Sequence, residues 1–333
     1  MSLPDPEPVL DLIEAFRWSK TMFAGVSLGI FDRLRERPAT AAELAAALGL
    51  HADALGRLLD GCAALGLLRK TDGVYHNEPV ADVYLWSSSP HTMAGYIRYS
   101  DEALYPMWGH MADALREGSH RWTQTFGGQG GLFTHFFRTD AAMRDFLQGM
   151  HGFGMLTSPK LVAAFDLSRF RRLADLGGAT GHLALAACER YPDLHAVVFD
   201  LPRVAEFARE HVAFCPRIEV IAGDFFTDEL PEADLYYVGR ILHDWPEEKI
   251  APLLRKIADR LPAGGGLLIG EKLLNEDGVG PLAANMQSLN MLICAEGKER
   301  PLSDYARLLR AAGFKEIDGR RTGAVLDAIF GVK

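Results

Sequence analysis

Hydrophobic positions change their period twice along the chain. Residues 9–35 carry apolar side chains at helical spacing, with Val9, Leu12, Ile13 and Phe16 followed by Met22, Phe23 and Val26. The stretch "PATAAELAAALGLHADALGRLLDGCAALGLLRKTDGVYHN" predicts two short helices and a β-hairpin. Thr40 with Glu43 three residues on forms a capping box, and Gly49 stops the first helix. The second helix runs from Ala52 to Leu65 and ends at Gly66, and the hairpin turns at Asp72-Gly73. Residues 80–160 read as mostly helical and are dense in aromatic residues, among them Tyr84, Trp108, Trp122, Phe133 and Phe137. That density suits a flat-ligand pocket or the filling of a helical core equally well. "GGQGG" at 127–131 is a loop.

From Phe170 onward the pattern becomes strand–helix alternation. Apolar runs at Leu173–Leu176, Ala196–Phe199, Ile218–Ile221, Leu235–Val238 and Gly266–Ile269 read as buried strands. Helical stretches at 181–191, 203–212, 246–261 and 303–312 are the remaining elements of this half. The alternation predicts an α/β unit with a mostly parallel sheet covered on both faces. The ending, "TGAVLDAIFGVK", reads as an edge strand.

Length and charge narrow the picture. At about 150 residues per domain, 333 residues suggest two domains. Charged residues interrupt every apolar run before the about 20 residues that a membrane span needs. The start, "MSLPDPEPVL", is acidic and proline-rich and unlike a secretion signal, which makes a cytoplasmic location the expectation. Cys62, Cys188, Cys215 and Cys294 are scattered, so free thiols are expected. A net charge of −9 argues against nonspecific nucleic-acid binding, which needs a cationic surface. The helix–turn–helix–hairpin is a winged-helix pattern, yet its second helix offers only Arg57 as a strong base or phosphate reader. A packing role for this Ala/Leu-rich helix, against a partner subunit, is the better expectation.

The chemistry gathers in "LADLGGATGHLALAACERYPDLHAVVFDLP". In an open α/β sheet ligands bind beyond the carboxyl ends of the strands. Asp175 ends the first strand there, Gly177, Gly178 and Gly181 make the turn, Asp200 ends the second strand, and Asp224 follows the third. Asp200 is placed to accept hydrogen bonds from ribose hydroxyls, which a dinucleotide and a phosphate-free nucleoside both offer. Asp175 separates these cofactors, because a carboxylate beside the turn repels pyrophosphate and attracts an ammonium. Asp224, with Phe225 and Phe226, suits an adenine. Each acid alone reads as a cap or a solvated loop residue. As a set they favour S-adenosylmethionine, with S-adenosylhomocysteine as the product.

"DLGGATGHLA", "VVFDLP", "AGDFF", "RILHDWPEEK", "SLNMLICAEGKER" and "TGAVLDAI" together resemble the plant-type and animal small-molecule O-methyltransferases, and within them the acetylserotonin O-methyltransferase group. The resemblance implies a Rossmann-like class I methyltransferase domain behind an N-terminal, mostly α-helical winged-helix dimerisation domain. It divides the chain into 1–85 for dimerisation, 86–165 as a helical connector contributing to the substrate pocket, and 166–333 for the cofactor. It implies a homodimer, no nucleic-acid or membrane partner, and a small-molecule acceptor from secondary metabolism. Leu201 and Gly223 join the cofactor residues, and Arg240 matches a cofactor-side position. Asp244 and Asn290 match substrate-contacting positions, and Met291 suits an apolar wall. The chain departs from the group at Ala179, where a Gly is usual, at Phe137 and Gly154, where the acetylserotonin enzymes bring a Tyr and a Trp towards the cofactor, and at Cys294, where a Gln contacts the acetylamide.

Methyl transfer from a sulfonium needs orientation and removal of a proton from the acceptor. His243 follows the fourth strand on the ligand side, and an imidazole is ordinarily able to accept a proton at neutral pH. By resemblance Glu271 and Glu299 flank this base, one of them orienting the imidazole. Read without the resemblance, Glu299 is a surface partner of Lys298 or Arg300. No dedicated metal motif is present, so no metal is expected. Two alternatives stay open: methylation of carbon or nitrogen instead of oxygen, the carbon being an enolisable one as in an α-keto acid, with a metal held by His243, Glu299 and Cys294, and a winged-helix regulator that senses a small ligand.

Overall fold

The computed structural model describes residues 3–333. The chain forms two compact units. One holds the chain through Tyr105 together with Thr139–Gly152, and the other holds Pro106–Arg138 together with Phe153–Lys333. Residues 86–165 are therefore shared out between the two.

In the first unit, the helices Ala41–Leu48 and Ala52–Ala64 lie in the chain between β1 and β2 of a three-stranded antiparallel sheet of order β1-β3-β2, with β1 at Ala39–Thr40, β2 at Leu68–Thr71 and β3 at Val74–Asn77. The capping box at Thr40 is complete, its hydroxyl accepting from the Glu43 amide while the Glu43 carboxylate accepts from the Thr40 amide at 2.8 Å. Asp72 and Gly73 both take positive φ, the twist that a two-residue hairpin requires. Phe31, Leu59, Cys62 and Tyr75 fill the core. The leading helix, Glu7–Ser27, behaves differently. It leaves Val9, Leu10, Leu12, Ile13, Phe16 and Trp18 exposed.

The second unit is built on a seven-stranded sheet of order β6-β5-β4-β7-β8-β10-β9. Its strands are β4 (Arg172–Leu176), β5 (His195–Asp200), β6 (Ile218–Ala222), β7 (Leu235–Gly239), β8 (Gly266–Glu271), β9 (Lys315–Arg320) and β10 (Asp327–Val332). β4 to β8 run parallel, and β10 is antiparallel to both of its neighbours. The order reverses at β4, which has β5 on one side and β7 on the other, so the ligand crevice of an open α/β sheet falls at the carboxyl end of β4.

The C-terminal strand is a correction to the sequence reading. β10 is interior, between β8 and β9, and every residue but the last is buried. The edge belongs to β9, "KEIDGR", whose charged and mostly exposed residues suit an unpaired side and give little apolar signal in the sequence. The helix Leu282–Cys294 is also one that the strand–helix pattern did not isolate. Among the described residues no helix is long and apolar enough to cross a membrane.

Candidate active site

The turn after β4 is held from below and from the side. Gly177 has φ +66 and donates its amide to the Phe199 carbonyl at 2.8 Å. Ala179 also sits at positive φ, a strained position for a residue with a Cβ. Asp200 ties this turn to the end of β5, because its Oδ2 accepts from the Ala179 amide at 2.9 Å and its Oδ1 from the Leu201 amide at 2.7 Å. Asp175 is the penultimate residue of β4, not the last, and its carboxyl lies buried under the turn. A Cβ on Gly178 would stand 2.7 Å from Asp175 Cγ, so only glycine lets the chain pass there.

Asp175 Oδ2 is buried without a hydrogen-bond partner. Burial, with the Asp200 charge next, pushes the Asp175 carboxyl up to about 8, against the Ala184 amide, which lowers it. Burial pushes Asp200 up to about 6, against the two amides that it accepts from. An acid of this kind, buried and one bond short, fits a cationic ligand and opposes a phosphate.

The third acid completes the rim. Gly223 donates its amide to the Asp200 carbonyl at 2.9 Å. Asp224 Oδ1 accepts from the Phe226 amide at 2.8 Å, which spends one of its oxygens on its own turn. Phe225 is buried, with a ring carbon 3.5 Å from where a Gly177 Cβ would stand. The Phe225 and Phe226 rings lie 4.7 Å apart, and Trp245 meets Phe226 edge-on at 5.3 Å.

Beyond β7 the chain enters a short 3-10 turn, Leu242–Asp244, pinned from two sides. Glu271, the last residue of β8, accepts through Oε1 from the amides of Ile241 at 3.1 Å, Leu242 at 2.9 Å and His243 at 3.4 Å. Arg300, 1% exposed, donates to the carbonyls of Leu242 at 3.1 Å and Trp245 at 3.0 Å. Gly297 lies so close that a Cβ would stand 2.5 Å from the His243 and Trp245 carbonyl oxygens. Between these clamps the His243 imidazole is buried. Its Nδ1 is 2.7 Å from Glu299 Oε1 and 3.2 Å from Glu271 Oε2, and its Nε2 is 3.6 Å from Asp244 Oδ1. Glu271 Oε2 and Glu299 Oε2 have no hydrogen-bond partner.

Burial is the first cause that lifts all three carboxyls, Glu299 to about 8, Glu271 to about 7 and Asp244 to about 7. Arg240, at φ +56, holds its amide to the Gly270 carbonyl at 3.0 Å and lays its guanidinium 5.2 Å from the Phe153 ring centre. Its charge lowers Glu299, Glu271 and Asp244 alike. Ligand atoms of His243, Glu271 and Glu299 all lie within 4.8 Å of one another, a spacing that a divalent cation can use. Glu271 thus stands in that trio where the sequence reading had put Cys294, whose sulfur instead meets Asn290 Nδ2 at 3.5 Å. Burial pushes the Cys294 thiol well up, with the Asp244 charge next, which keeps it protonated and inert.

Asn290, Met291 and Cys294 share the buried side of the Leu282–Cys294 helix. Asn290 Oδ1 accepts from the Trp108 indole at 3.0 Å, which orients the amide. The Trp122 indole donates to the Cys294 carbonyl at 2.8 Å, and the Arg121 amide to the Ile293 carbonyl at 2.9 Å. Phe137 stacks at a tilt on Phe133, with centres 5.6 Å apart. Trp108, Trp122, Gly297 and Arg300 were not singled out as functional from the sequence. The aromatic density pointed to the indoles only as a group, and "GKER" drew Arg300 as a surface charge. The expected residues therefore fall into three neighbourhoods, the glycine-turn rim, the buried base and one helix side. Ile241 joins the first two, with a side-chain carbon 2.6 Å from the Gly177 Cβ position.

Residues 108–315 match the O-methyltransferase domain family, and residues 10–87 match the O-methyltransferase dimerisation domain family. Human acetylserotonin O-methyltransferase is 40% identical over 332 residues, spanning 97% of this chain and 96% of that protein. A human protein described as a probable bifunctional dTTP/UTP pyrophosphatase/methyltransferase is 40% identical over 336 residues, which is 99% of this chain and 54% of that longer protein. The crystal structure of human N-acetylserotonin methyltransferase in complex with SAM superposes with a TM-score of 0.95 at 38% identity, covering 100% of this chain and 99% of that one.

The raised carboxyls set a pH dependence. Asp175, Asp244, Glu271 and Glu299 keep protons in the folded chain up to pH 7–8, whereas unfolded they release them near the usual carboxylate value of about 4. The folded state binds more protons in that window, so their contribution to stability is full at its acid end and is lost as pH rises from about 4 to about 8. Thermal unfolding of the ligand-free protein is expected at a lower temperature at pH 8 than at pH 6, and Asp175→Asn is expected to flatten the difference. A wild-type melting temperature that rises over this interval contradicts the assignment.

Proposed function

The chain belongs to the S-adenosylmethionine-dependent O-methyltransferases of class I fold, and we propose that it methylates a hydroxyl of a small aromatic acceptor with His243 as general base. One observation carries the role of His243: a buried imidazole whose Nδ1 lies 2.7 Å from a buried glutamate oxygen. In its ionised form, which the Arg240 charge favours, Glu299 accepts the Nδ1 proton, fixes that tautomer, and leaves Nε2 with a lone pair. A phenol, with pKa about 10, is mostly protonated at neutral pH, so a base at Nε2 is worth roughly 10²–10⁴-fold. The imidazolium formed as the acceptor loses its proton is stabilised by Glu299 and Glu271. Glu271 also holds the turn that carries the base, through three backbone amides.

S-adenosylmethionine supplies a methyl group already activated on sulfur. Asp175, Gly177, Gly178, Asp200, Leu201, Gly223, Asp224, Phe225 and Arg240 are the residues we assign to holding it. The orphaned Asp175 Oδ2 supports this, as an acceptor for an ammonium. The remaining work of the chain is orientation, which can lower a barrier by up to about 7–11 kcal/mol. Asp244, Asn290, Met291 and Cys294 are assigned to the acceptor. The protonated thiol of Cys294 replaces the amide that contacts an acetylamide in the acetylserotonin enzymes. The acceptor proposed is therefore an aromatic hydroxyl compound other than acetylserotonin.

The regulator reading weakens further, since Arg57, the one strong phosphate reader of its helix, pairs with Asp53 at 2.7 Å. The exposed apolar face of Glu7–Ser27, together with the dimerisation-family match, supports a homodimer. A second catalytic reading, metal-assisted methylation of an enolisable carbon, draws support from the ligand spacing of His243, Glu271 and Glu299.

His243→Ala is expected to retain S-adenosylhomocysteine affinity while losing turnover on a phenol by about two orders of magnitude or more. Wild-type turnover on that phenol is expected to survive exhaustive chelation. Turnover abolished by chelation and restored by a divalent cation favours the second reading, and undiminished turnover by the variant removes His243 from the mechanism. Light scattering is expected to give twice the chain mass, and Phe16→Glu to shift it towards one; a wild-type monomer overturns the dimer.

A further inference from the structure

Tyr237 is the middle residue of β7, and in the register of the parallel sheet it stands beside Asp175 of β4. Paired residues of neighbouring strands share a face of the sheet, as do residues two apart along one strand. Tyr237 and Gly239, with Gly270 of β8 that pairs with Gly239, therefore lie on the face that carries the Asp175 carboxyl. The ring leans along β7 towards its carboxyl end. A Cβ on Gly239 would fall against the Tyr237 hydroxyl oxygen, closer than real Cβ atoms come to anything, and a Cβ on Gly270 would stand 2.6 Å from it. Two adjacent glycines thus clear the path of this one side chain. Leu161 closes the flank, with a methyl carbon 3.0 Å from the same Gly270 position.

The hydroxyl is thereby carried to the level of the last residue of β7, next to the strand where the winding reverses. Burial first, then the Asp175 and Glu271 charges, push the phenol well above its usual value, against the Arg240 charge. It therefore stays a neutral hydroxyl at any working pH. Tyr237 is 3% exposed, and among the described residues its hydroxyl makes no hydrogen bond. A buried phenol ordinarily has a partner. On the neighbouring strand Asp175 Oδ2 is buried and equally without one. One acid and one neutral oxygen, side by side at the carboxyl ends of β4 and β7, suit a single cationic group with several N–H donors. A second carboxylate in the place of the phenol would add the cost of another buried charge.

We propose that Tyr237 is a cofactor-binding residue, its hydroxyl oxygen accepting a hydrogen bond from the ammonium of the methionine moiety beside Asp175. The acid supplies the charge and the phenol a second acceptor, so the pair selects the amino-acid end of the cofactor. Gly239 and Gly270 belong to the site, because a side chain at either would push the hydroxyl from its place. The proposal rests on the reading that Asp175 faces the ammonium of S-adenosylmethionine.

The test is calorimetric affinity for two ligands, S-adenosylhomocysteine and its deaminated analogue, which lacks only the ammonium. Tyr237→Phe keeps the ring. It is expected to weaken S-adenosylhomocysteine about tenfold, through loss of one hydrogen bond to a charged group, and to leave the analogue within about twofold of wild type. Asp200→Ala is expected to weaken both ligands alike, because both keep the ribose. Unchanged S-adenosylhomocysteine affinity in Tyr237→Phe overturns the proposal. An equal loss for the two ligands overturns it as well, since that marks packing beneath the site and not recognition of the ammonium. Wild-type protein that binds both ligands equally refutes the role of Asp175 on which the proposal stands, and unchanged binding of both in Asp200→Ala refutes the site reading as a whole.

Discussion

Two glutamates and one histidine share a volume from which water is excluded, and no lysine or arginine forms an ion pair with them among the described residues. Taking charges out of water is costly, and like charges at this range make it more so. The cluster can exist only because the chain around it is fixed by other means. Glu271 spends one oxygen on three successive amides, Arg300 ties down two carbonyls of the same turn, and Gly297 leaves room for the approach. The same burial that lifts the carboxyls gives their contacts with the imidazole more weight than they have in water. Electrostatics and backbone anchoring are therefore one arrangement.

The glycine turn follows a similar logic on a smaller scale. Asp175 is buried beneath it with an unpaired oxygen, and Asp200 braces it from the neighbouring strand. Ile241 packs against Gly177, so the strand end that leads to the base also abuts the turn. Order in the sheet explains why these parts meet. β4 is the strand where the winding reverses, and its two neighbours bring in Asp200 from one side and the His243 turn from the other.

Much of this was legible in the sequence. The five parallel strands announced themselves as short apolar runs, the capping box at Thr40 by its spacing, and the ligand-side acids by their place after those runs. What escaped did so for physical reasons. β9 is polar because it is an edge, so periodicity does not mark it, and β10 reads as an edge only while β9 goes unseen. Arg300 and Glu299 look like surface charges because sequence spacing cannot report burial, and both are 1% exposed. Trp108 and Trp122 reach across long sequence separations to the Leu282–Cys294 helix, contacts that no local pattern encodes.

The account turns on which nitrogen of His243 carries the proton while the ring is neutral. Heteronuclear NMR of the imidazole nitrogens in the cofactor-bound protein reads this directly. An ionised Glu299 requires a protonated Nδ1 and a bare Nε2, the pattern of a ring poised to take a proton from an acceptor. A neutral ring with its proton on Nε2 contradicts the account, because Glu299 would then be holding its own proton against Nδ1 and the base would have nothing with which to accept from an acceptor at Nε2.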